Sequence, residues 1–227
     1  MADFGLWWRR FQGNAMFAYF RLVTRTARWQ FEGRENIQLA RASGRPLIWA
    51  MWHGQLMPFM HYGDRFEDAG KFAIITVGDD RSDILGTFAE RLGAASTHPV
   101  DMNSSSMAGG RAVLRVIAAL KEGQQTFLAP DGPDGPPFVP KAGISFLARK
   151  AMAVVMPVGV WTRQAVQLRR WDRYLVAFPF ARMVAVFGAP ILAERRSDDQ
   201  TLRDQIAAAM TRVRYRAQQL AGESPWP

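Results

Sequence analysis

The stretch that decides the fold runs Pro46-Leu-Ile-Trp-Ala-Met-Trp-His53-Gly-Gln-Leu-Met-Pro58. Its apolar first half is typical of a buried strand, and Gly54 marks the point where the strand turns into a helix. A histidine in that place lies at the edge of the sheet where open α/β folds usually carry out their chemistry. The positive end of the following helix disfavours a second proton on the ring, so His53 is predicted to be neutral and able to act as a base. The alternative interpretation is a hydrogen-bonded histidine of the core.

Further apolar runs alternate with amphipathic helical patterns along the 227-residue chain. Strands are predicted at residues 72–77, 125–129, 154–160 and 183–187, with a shorter edge strand at residues 30–33. Helices are predicted at residues 35–43, 83–92, 144–150 and 199–220, and another ends before Gly123. This alternation is typical of the α/β class. We therefore predict a single α/β domain over residues 30–227, with a mixed or mainly parallel sheet flanked by helices.

Residues 1–29 carry a different pattern, with aromatic and basic residues at helical spacings. Gly13-Asn14 is predicted to divide them into a pair of amphipathic helices. An aromatic face beside a basic stripe is typical of helices that lie in a membrane interface and bind an anionic surface. The alternative is two helices packed on the domain with their arginines in solvent. The residues that carry the pattern are Phe4, Trp7, Trp8, Phe11, Arg21, Arg25 and Arg28.

The composition excludes several classes of chemistry. There is no cysteine, which rules out disulfides, thiolate metal sites and cysteine nucleophiles, and three histidines offer little for a metal site. The net charge of +9 favours a polyanionic partner, either nucleic acid or an anionic membrane. Because the arginines do not gather on a recognisable reading helix, we expect a membrane surface and no nucleic acid. No bound cofactor or metal is expected.

Two further segments have the residue types of a binding site. The run Ser104-Ser105-Ser106, followed by Gly109-Gly110-Arg111, enters a helix and offers hydroxyl groups, backbone N–H groups and a cation to an anion. A serine run by itself is more often a cap and a loop. In residues 130–137, prolines and glycines surround Asp131 and Asp134, so the loop is stiff and holds two carboxylates in fixed places. We expect Asp131 to face the pocket of His53.

In their order along the chain, these blocks resemble the lysophospholipid acyltransferase superfamily, and most closely its bacterial branch known as a domain of unknown function. The resemblance covers roughly residues 30–195, nearly the whole core. It rests on the ordered set, and no single block is diagnostic. The blocks are Trp52-His53-Gly54, Asp83 at a helix start, Ser104-Ser105-Ser106, Gly109-Gly110-Arg111, Pro130-Asp131-Gly132-Pro133-Asp134-Gly135-Pro136, Lys141-Ala-Gly143, Val155-Met-Pro-Val158 and Trp171-Asp-Arg173.

The resemblance implies acyl transfer without a covalent enzyme intermediate. His53 would take a proton from an acceptor hydroxyl or amine, which attacks an acyl thioester. The implied acceptor is a lysophospholipid or a related lipid, and acyl-CoA or acyl-carrier protein is the co-substrate. The implied location is peripheral, on the cytoplasmic face of the inner or plasma membrane. The substrate-binding residues that follow from it are Gly54, Ser104, Ser105, Ser106, Gly109, Gly110, Arg111, Gly132, Asp134 and Lys141.

In the superfamily, the aspartate that pairs with the histidine lies five positions after it, and here Pro58 occupies that position. A carboxylate would fix the tautomer of the ring, and Asp79, Asp83 and Asp131 are the candidates, which the sequence does not rank. If the pair is lost, the chain is an inactive lipid-binding or scaffold protein of the same fold.

A serine hydrolase that uses residues 104–106 with His53 and Asp131 is disfavoured, because no Gly-x-Ser-x-Gly elbow is present. Two expectations concern the parts outside the site. His61 and His98 are expected to tolerate replacement by alanine. Removal of residues 1–28 is expected to leave a folded domain, provided that the core does not use that face.

Overall fold

Ten strands and six α-helices are found in the computed structural model, which describes residues 2–77, 88, 91–100 and 107–224. The helices are α1 (Ala2–Thr26), α2 (Glu35–Ala42), α3 (Leu56–Phe66), α4 (Met107–Lys121), α5 (Gly143–Ala151) and α6 (Asp199–Leu220). The strands are β1 (Arg28–Glu32), β2 (Leu47–Ala50), β3 (Ala73–Val77), β4 (Ser96–Val100), β5 (Thr126–Leu128), β6 (Val154–Trp161), β7 (Ala165–Gln167), β8 (Leu175–Ala177), β9 (Arg182–Phe187) and β10 (Ile191–Leu192).

The main sheet has the strand order β1-β9-β6-β2-β5, and β10 pairs with β6. Strand β2 lies between β5 and β6 and is parallel to both, whereas β9 is antiparallel to β6 and parallel to β1. The parallel pair β3–β4 continues beyond β5 through a bridge between Phe72 and Gln125. The predicted α/β class, with a mixed sheet flanked by helices, is therefore confirmed.

Strand β2 lies at the centre because both of its faces are apolar. Alternate side chains point to opposite faces of a strand, so a continuous apolar run fits a sheet that is covered on both sides. Ile48, Ala50 and Trp52 pack into a cluster that includes residues of α4, α5 and α6. The other face, which carries Trp49 and Met51, packs against α2 and α3. Helices therefore cover β2 on both faces and hold its carboxyl end in place. His53 lies just after that end.

The predicted break at Gly13-Asn14 is wrong, because α1 is one continuous helix of 25 residues. A single helical glycine costs only about 1 kcal/mol relative to alanine, and packing of the second half of α1 offsets that cost. Phe20, Val23 and Thr24 are buried against the domain. No helix in the described part of the chain has the length and hydropathy that crossing a membrane requires.

The hairpin β7–β8 is an element that we did not predict from the sequence. Its strands pair antiparallel, with Ala165 opposite Ala177, and its tip comprises residues 168–174. From the sequence, this segment entered as the block Trp171-Asp-Arg173 of the family resemblance, and no hairpin was predicted there. Strand β4 was also missed, and most of the helix predicted at residues 83–92 lies outside the described residues.

Candidate active site

The ends of β2 and β5 bring His53 and Asp131 together. The two strands are parallel neighbours, with Ala50 opposite Leu128, so their carboxyl ends lie at the same edge of the sheet. Each strand is followed within three residues by a polar side chain. The backbone N–H of His53 donates a hydrogen bond to Oδ1 of Asp131, at 3.0 Å. The expectation that Asp131 faces the His53 pocket agrees with this contact.

Asp131 holds the backbone of the site and does not hold the imidazole ring. Its Oδ2 accepts a second hydrogen bond, from the N–H of Phe138 at 3.3 Å. One carboxylate therefore ties the start of a short 3₁₀ helical turn, His53–Gln55, to the end of the proline-glycine loop. Asp131 is buried, with 1% of its surface exposed. Burial raises the pKa of the Asp131 carboxyl, and the backbone hydrogen bonds from His53 and Phe138 oppose that rise. Asp131 is therefore an anchor for His53, and its candidacy as the partner of the ring is wrong.

The ring partner is Asp172, at the tip of the β7–β8 hairpin. Nδ1 of His53 lies 2.7 Å from Oδ2 of Asp172, whose side chain is fully buried. The other carboxylate oxygen accepts a hydrogen bond from the N–H of Tyr174 at 3.3 Å. Nη2 of Arg170 lies 3.5 Å from Oδ2 and supplies a countercharge. Hydrogen bonds and a cation thus hold the carboxylate at the ring.

This contact determines which ring nitrogen can act as a base. An ionised carboxylate only accepts hydrogen bonds, so the tautomer that fits this contact has its proton on Nδ1 and its lone pair on Nε2. The His53 side chain is 18% exposed, which leaves the ring accessible from outside. The aromatic rings of Trp171 and Tyr174 lie 5.3 and 5.7 Å from it, centroid to centroid. The imidazole is therefore oriented, mostly enclosed and open at one side.

Two glycines make the close approaches that this arrangement requires. A Cβ atom on Gly132 would lie 2.4 Å from Cδ2 of the His53 ring, so the backbone of the proline-glycine loop lies directly against the imidazole. A Cβ atom on Gly54 would lie 2.2 Å from the carbonyl oxygen of Asp172. Neither position has room for a side chain, which explains why glycine occupies each of them. Both residues were predicted as site residues, and both lie at the site.

The remaining predicted residues have different outcomes. Asp134 and Lys141 are exposed, and the backbone N–H of Lys141 donates to the carbonyl of Pro130 at 2.8 Å. Pro58 is buried in the first turn of α3, where proline is tolerated. Gly109, Gly110 and Arg111 lie in the first turns of α4, and their side chains are outside the described part. The predictions for Asp79, Asp83, Ser104, Ser105 and Ser106 fall on residues that the structure does not describe.

The other two histidines have structural contacts. The His61 Nδ1 lies 2.8 Å from Oγ1 of Thr24, and its ring stacks on Phe20 at 4.4 Å, so it links α3 to α1. The expectation that His61 tolerates replacement is therefore not supported by its surroundings. His98 Nε2 lies 2.9 Å from Oγ of Ser96. Among the described residues, no three histidine or carboxylate side chains converge in the way that a metal site requires.

Comparisons with known proteins agree with this fold. No protein-family model matches the chain. Over 184 residues the chain is 26% identical to the uncharacterized protein RP090 of Rickettsia prowazekii (strain Madrid E), and the match covers 78% of each protein. The crystal structure of the 1-acyl-sn-glycerophosphate (LPA) acyltransferase PlsC from Thermotoga maritima superimposes with a TM-score of 0.58. That match covers 93% of this chain and 81% of the other, with 18% identity, so it shows an acyltransferase-like fold.

Proposed function

We propose that this protein is an acyltransferase that moves a fatty acyl group from an acyl thioester to a lysophospholipid or a related lipid at a membrane surface. The observation that carries the proposal is the contact between Nδ1 of His53 and Asp172 at 2.7 Å, which leaves Nε2 as a base. The likeness to the fold of a lipid acyltransferase supports the reaction class. The net charge of +9 supports an anionic substrate and an anionic surface.

In the proposed reaction, Nε2 of His53 removes the proton from the acceptor hydroxyl as the oxygen attacks the thioester carbonyl carbon. The tetrahedral intermediate collapses, the carbon–sulfur bond breaks, and the proton passes from the imidazolium to the leaving thiolate. Asp172 stabilises the imidazolium and keeps the ring in one tautomer. No group on the enzyme is acylated. A positioned base of this kind contributes a factor of about 10²–10⁴, and substrate orientation supplies much of the remainder.

Basic residues around the hairpin tip support an anionic headgroup in the acceptor. Arg169, Arg170 and Arg173 are exposed and lie on the segment that also carries Asp172. Lys141 is exposed at the end of the loop that contacts His53. A phosphate oxygen bound by these cations would bring an adjacent hydroxyl towards Nε2. Acyl-CoA and acyl-carrier protein are both anionic and remain alternative donors.

The inactive alternative was based on the missing aspartate at Pro58. A carboxylate lies at the ring even so, because Asp172 takes the place of that residue from another part of the chain. The buried carboxylate of Asp172 has two hydrogen bonds and a countercharge, and its presence at the His53 ring favours an active enzyme over a scaffold.

The test is an acyl-transfer assay with the purified full chain. Vesicles would contain a 1-acyl-glycerophosphate, a zwitterionic lysophospholipid or an aminolipid, with acyl-CoA or acyl-carrier protein as donor. We expect an acylated lipid, detected by mass spectrometry, from the wild type and from His98→Ala, and a rate lower by about 10²–10⁴ from His53→Ala. Equal product from His53→Ala, or no product with any pair of substrates, would reject the proposal.

A further inference from the structure

The outer face of α1 is apolar although it lies on the surface of the domain. Phe11 is 50% exposed and Leu22 is 47% exposed, and they lie on one helical stripe with Ala15 and Ala18 between them. Tyr19, 38% exposed, lies beside that stripe. The opposite face of the helix is buried against the domain. From Phe11 to Thr26, helix α1 therefore carries apolar residues on two sides, one buried against the domain and the other exposed by about half of its larger side chains.

The segment after β8 exposes two more aromatic side chains. Phe178 is 47% exposed and Phe180 is 63% exposed, more than any other described phenylalanine. Phe180 has a φ of +65°, which is unusual and costly for a bulky residue. Its backbone N–H donates to Oγ1 of Thr26 at 3.0 Å. The fold therefore holds an aromatic ring outwards at a cost in free energy.

Contacts between α1 and the segment after β8 bring the exposed side chains of both into one surface. The hydroxyl of Tyr19 donates to the carbonyl of Ala177 at 2.8 Å, and Thr26 accepts from Phe180. Beneath them, Val23 of α1 and Ala27, which directly follows the helix, pack with Ala177 and Ala181. We call this surface, made of Phe11, Ala15, Ala18, Tyr19, Leu22, Phe178 and Phe180, the aromatic surface.

Charges around the aromatic surface are positive. Arg25 is exposed in the last turn of α1, and Arg28 and Arg182, also exposed, lie opposite each other on β1 and β9. Residues 4–31 and 173–193 contain no aspartate or glutamate. Exposed aromatic rings bordered by arginines are the combination that binds the interface of an anionic bilayer. A symmetric dimer through this surface would bring together two surfaces that are both bordered by arginines, and the like charges would repel.

We propose that the aromatic surface is the membrane-docking site, and that Phe178 and Phe180 enter the headgroup region beside α1. The consequence for catalysis, which rests on the proposed function, comes from β8. Asp172 lies three residues before this strand and Phe178 directly follows it, while Leu175 and Ala177 are buried. Docking through Phe178 and Phe180 therefore holds one end of a short rigid strand whose other end positions the carboxylate at His53.

The experiment measures flotation of the full chain with vesicles of phosphatidylglycerol and phosphatidylethanolamine, and with vesicles of phosphatidylcholine. Three variants are compared: Phe180→Gly, the double change Phe178→Ser with Phe180→Ser, and Phe146→Ser as a matched control. Phe146 is 45% exposed and lies on α5, away from the aromatic surface. We expect the double variant to lose about tenfold or more in affinity for anionic vesicles, because buried apolar area is lost. The control should bind like the wild type.

The Phe180→Gly variant separates docking from folding. Glycine accepts a φ of +65° without strain, so thermal stability should rise while vesicle binding falls. Wild-type binding by both variants would overturn the proposal. So would a change of oligomeric mass in the double variant with unchanged vesicle binding, since the surface would then join two copies.

Failure of docking and failure of the proposed reaction give different results. Flotation needs no turnover, so it tests docking even if no acyl acceptor is found. If the wild type transfers acyl groups, Phe180→Gly should keep its rate on a short-chain acceptor dissolved in water and lose it on vesicles. Equal rates on vesicles would overturn the link between docking and the site.

Discussion

His53 and Asp172 are separated by 119 positions in the chain, yet Nδ1 of one lies 2.7 Å from Oδ2 of the other. His53 follows the central strand β2, and Asp172 lies at the tip of the β7–β8 hairpin, much later in the chain. Pro58, five positions after His53, is buried in α3 and supplies no carboxylate. The pair therefore depends on closure of the hairpin over the sheet edge, and several predictions test that dependence.

Replacement of Gly54 by alanine should displace the hairpin tip. The added Cβ would lie 2.2 Å from the carbonyl oxygen of Asp172, so Asp172 must move away from the ring. A misplacement of about 1 Å in a catalytic geometry can cost about 10²-fold in rate, and we expect a loss of that order in the acyl-transfer assay. Gly63→Ala is the matched control, because its Cβ would meet nothing within 4 Å. A fully active Gly54→Ala variant would contradict the observed packing.

Replacement of Asp131 by alanine should destabilise the fold as well as the site. The N–H groups of His53 and Phe138 would lose their shared acceptor in a buried place, which costs about 1–3 kcal/mol. Urea unfolding should show this loss, and the transfer rate should fall with it. Asp134→Ala, in the same loop but exposed, should change stability by no more than about 0.5 kcal/mol. Equal effects from both replacements would remove the anchoring role from Asp131.

The buried His61 should make the stability depend on pH. Burial lowers its pKa from 6.5 to about 3 in the folded protein. The unfolded chain therefore binds a proton near pH 6.5 that the folded chain does not, so stability is complete above that pH and is lost as the pH falls. Between pH 7.5 and 5.5 the contribution of His61 is about 1.4 kcal/mol.

Urea unfolding of the wild type and of His61→Phe at the two pH values measures this contribution. The variant keeps a ring against Phe20 but does not titrate. We expect its loss of stability on acidification to be smaller than that of the wild type by about 1.4 kcal/mol. An identical pH dependence in the two proteins would show that His61 is not buried in its neutral form.

Truncations should divide α1 into two parts with different roles. Removal of residues 1–12 keeps Phe20, Val23 and Thr24 in place and takes Phe11 from the aromatic surface, so it should leave a folded protein with weaker vesicle binding. Removal of residues 1–28 removes the buried Phe20, Val23 and Thr24 and takes three carbonyl acceptors from Arg65. Each buried large apolar side chain contributes about 1.5–3 kcal/mol, so the longer truncation should unfold at a markedly lower temperature. Unchanged melting temperatures for both chains would contradict the packing of α1.

Residual binding at high salt separates the two forces in docking. Each arginine near an anionic surface contributes about 1 kcal/mol, and salt screens that contribution. Burial of the aromatic rings does not depend on salt in this way. Binding of the wild type should weaken but persist as salt rises, whereas the chain without residues 1–12 should lose more of the persistent part.

Long apolar runs made much of the fold predictable. The runs that became β2, β6 and the part of β9 from Met183 onwards are buried on both faces, so each is apolar and could be recognised alone. His53 could be placed for the same reason, since the end of a buried strand is visible in sequence. Parallel pairing of β2 with β5 then brings Asp131 to the same edge, as expected from its position after a strand.

Short and exposed elements could not be predicted in this way. Strands β7 and β8 have three residues each, and most of β7 is exposed. They are too short to show the alternation of apolar and polar residues by which a strand is recognised. Asp172 lies in their connection among arginines, which resembles a solvated loop, and its pairing with His53 is a long-range contact. The sequence offered two signals, an acidic residue between Trp171 and Tyr174 in a basic segment and the block Trp171-Asp-Arg173 of the resemblance, and neither assigned Asp172 to His53. The continuity of α1 across Gly13 likewise depends on tertiary packing.

The most direct test of the pair is a double-mutant cycle in the acyl-transfer assay, with His53→Ala, Asp172→Asn and both changes together. Asparagine keeps the size of the side chain but cannot stabilise an imidazolium, so each single change should lower the rate by about 10²–10⁴. If Asp172 acts only through His53, the double variant should be no slower than His53→Ala. Losses that multiply in the double variant, or a fully active Asp172→Asn protein, would contradict the account.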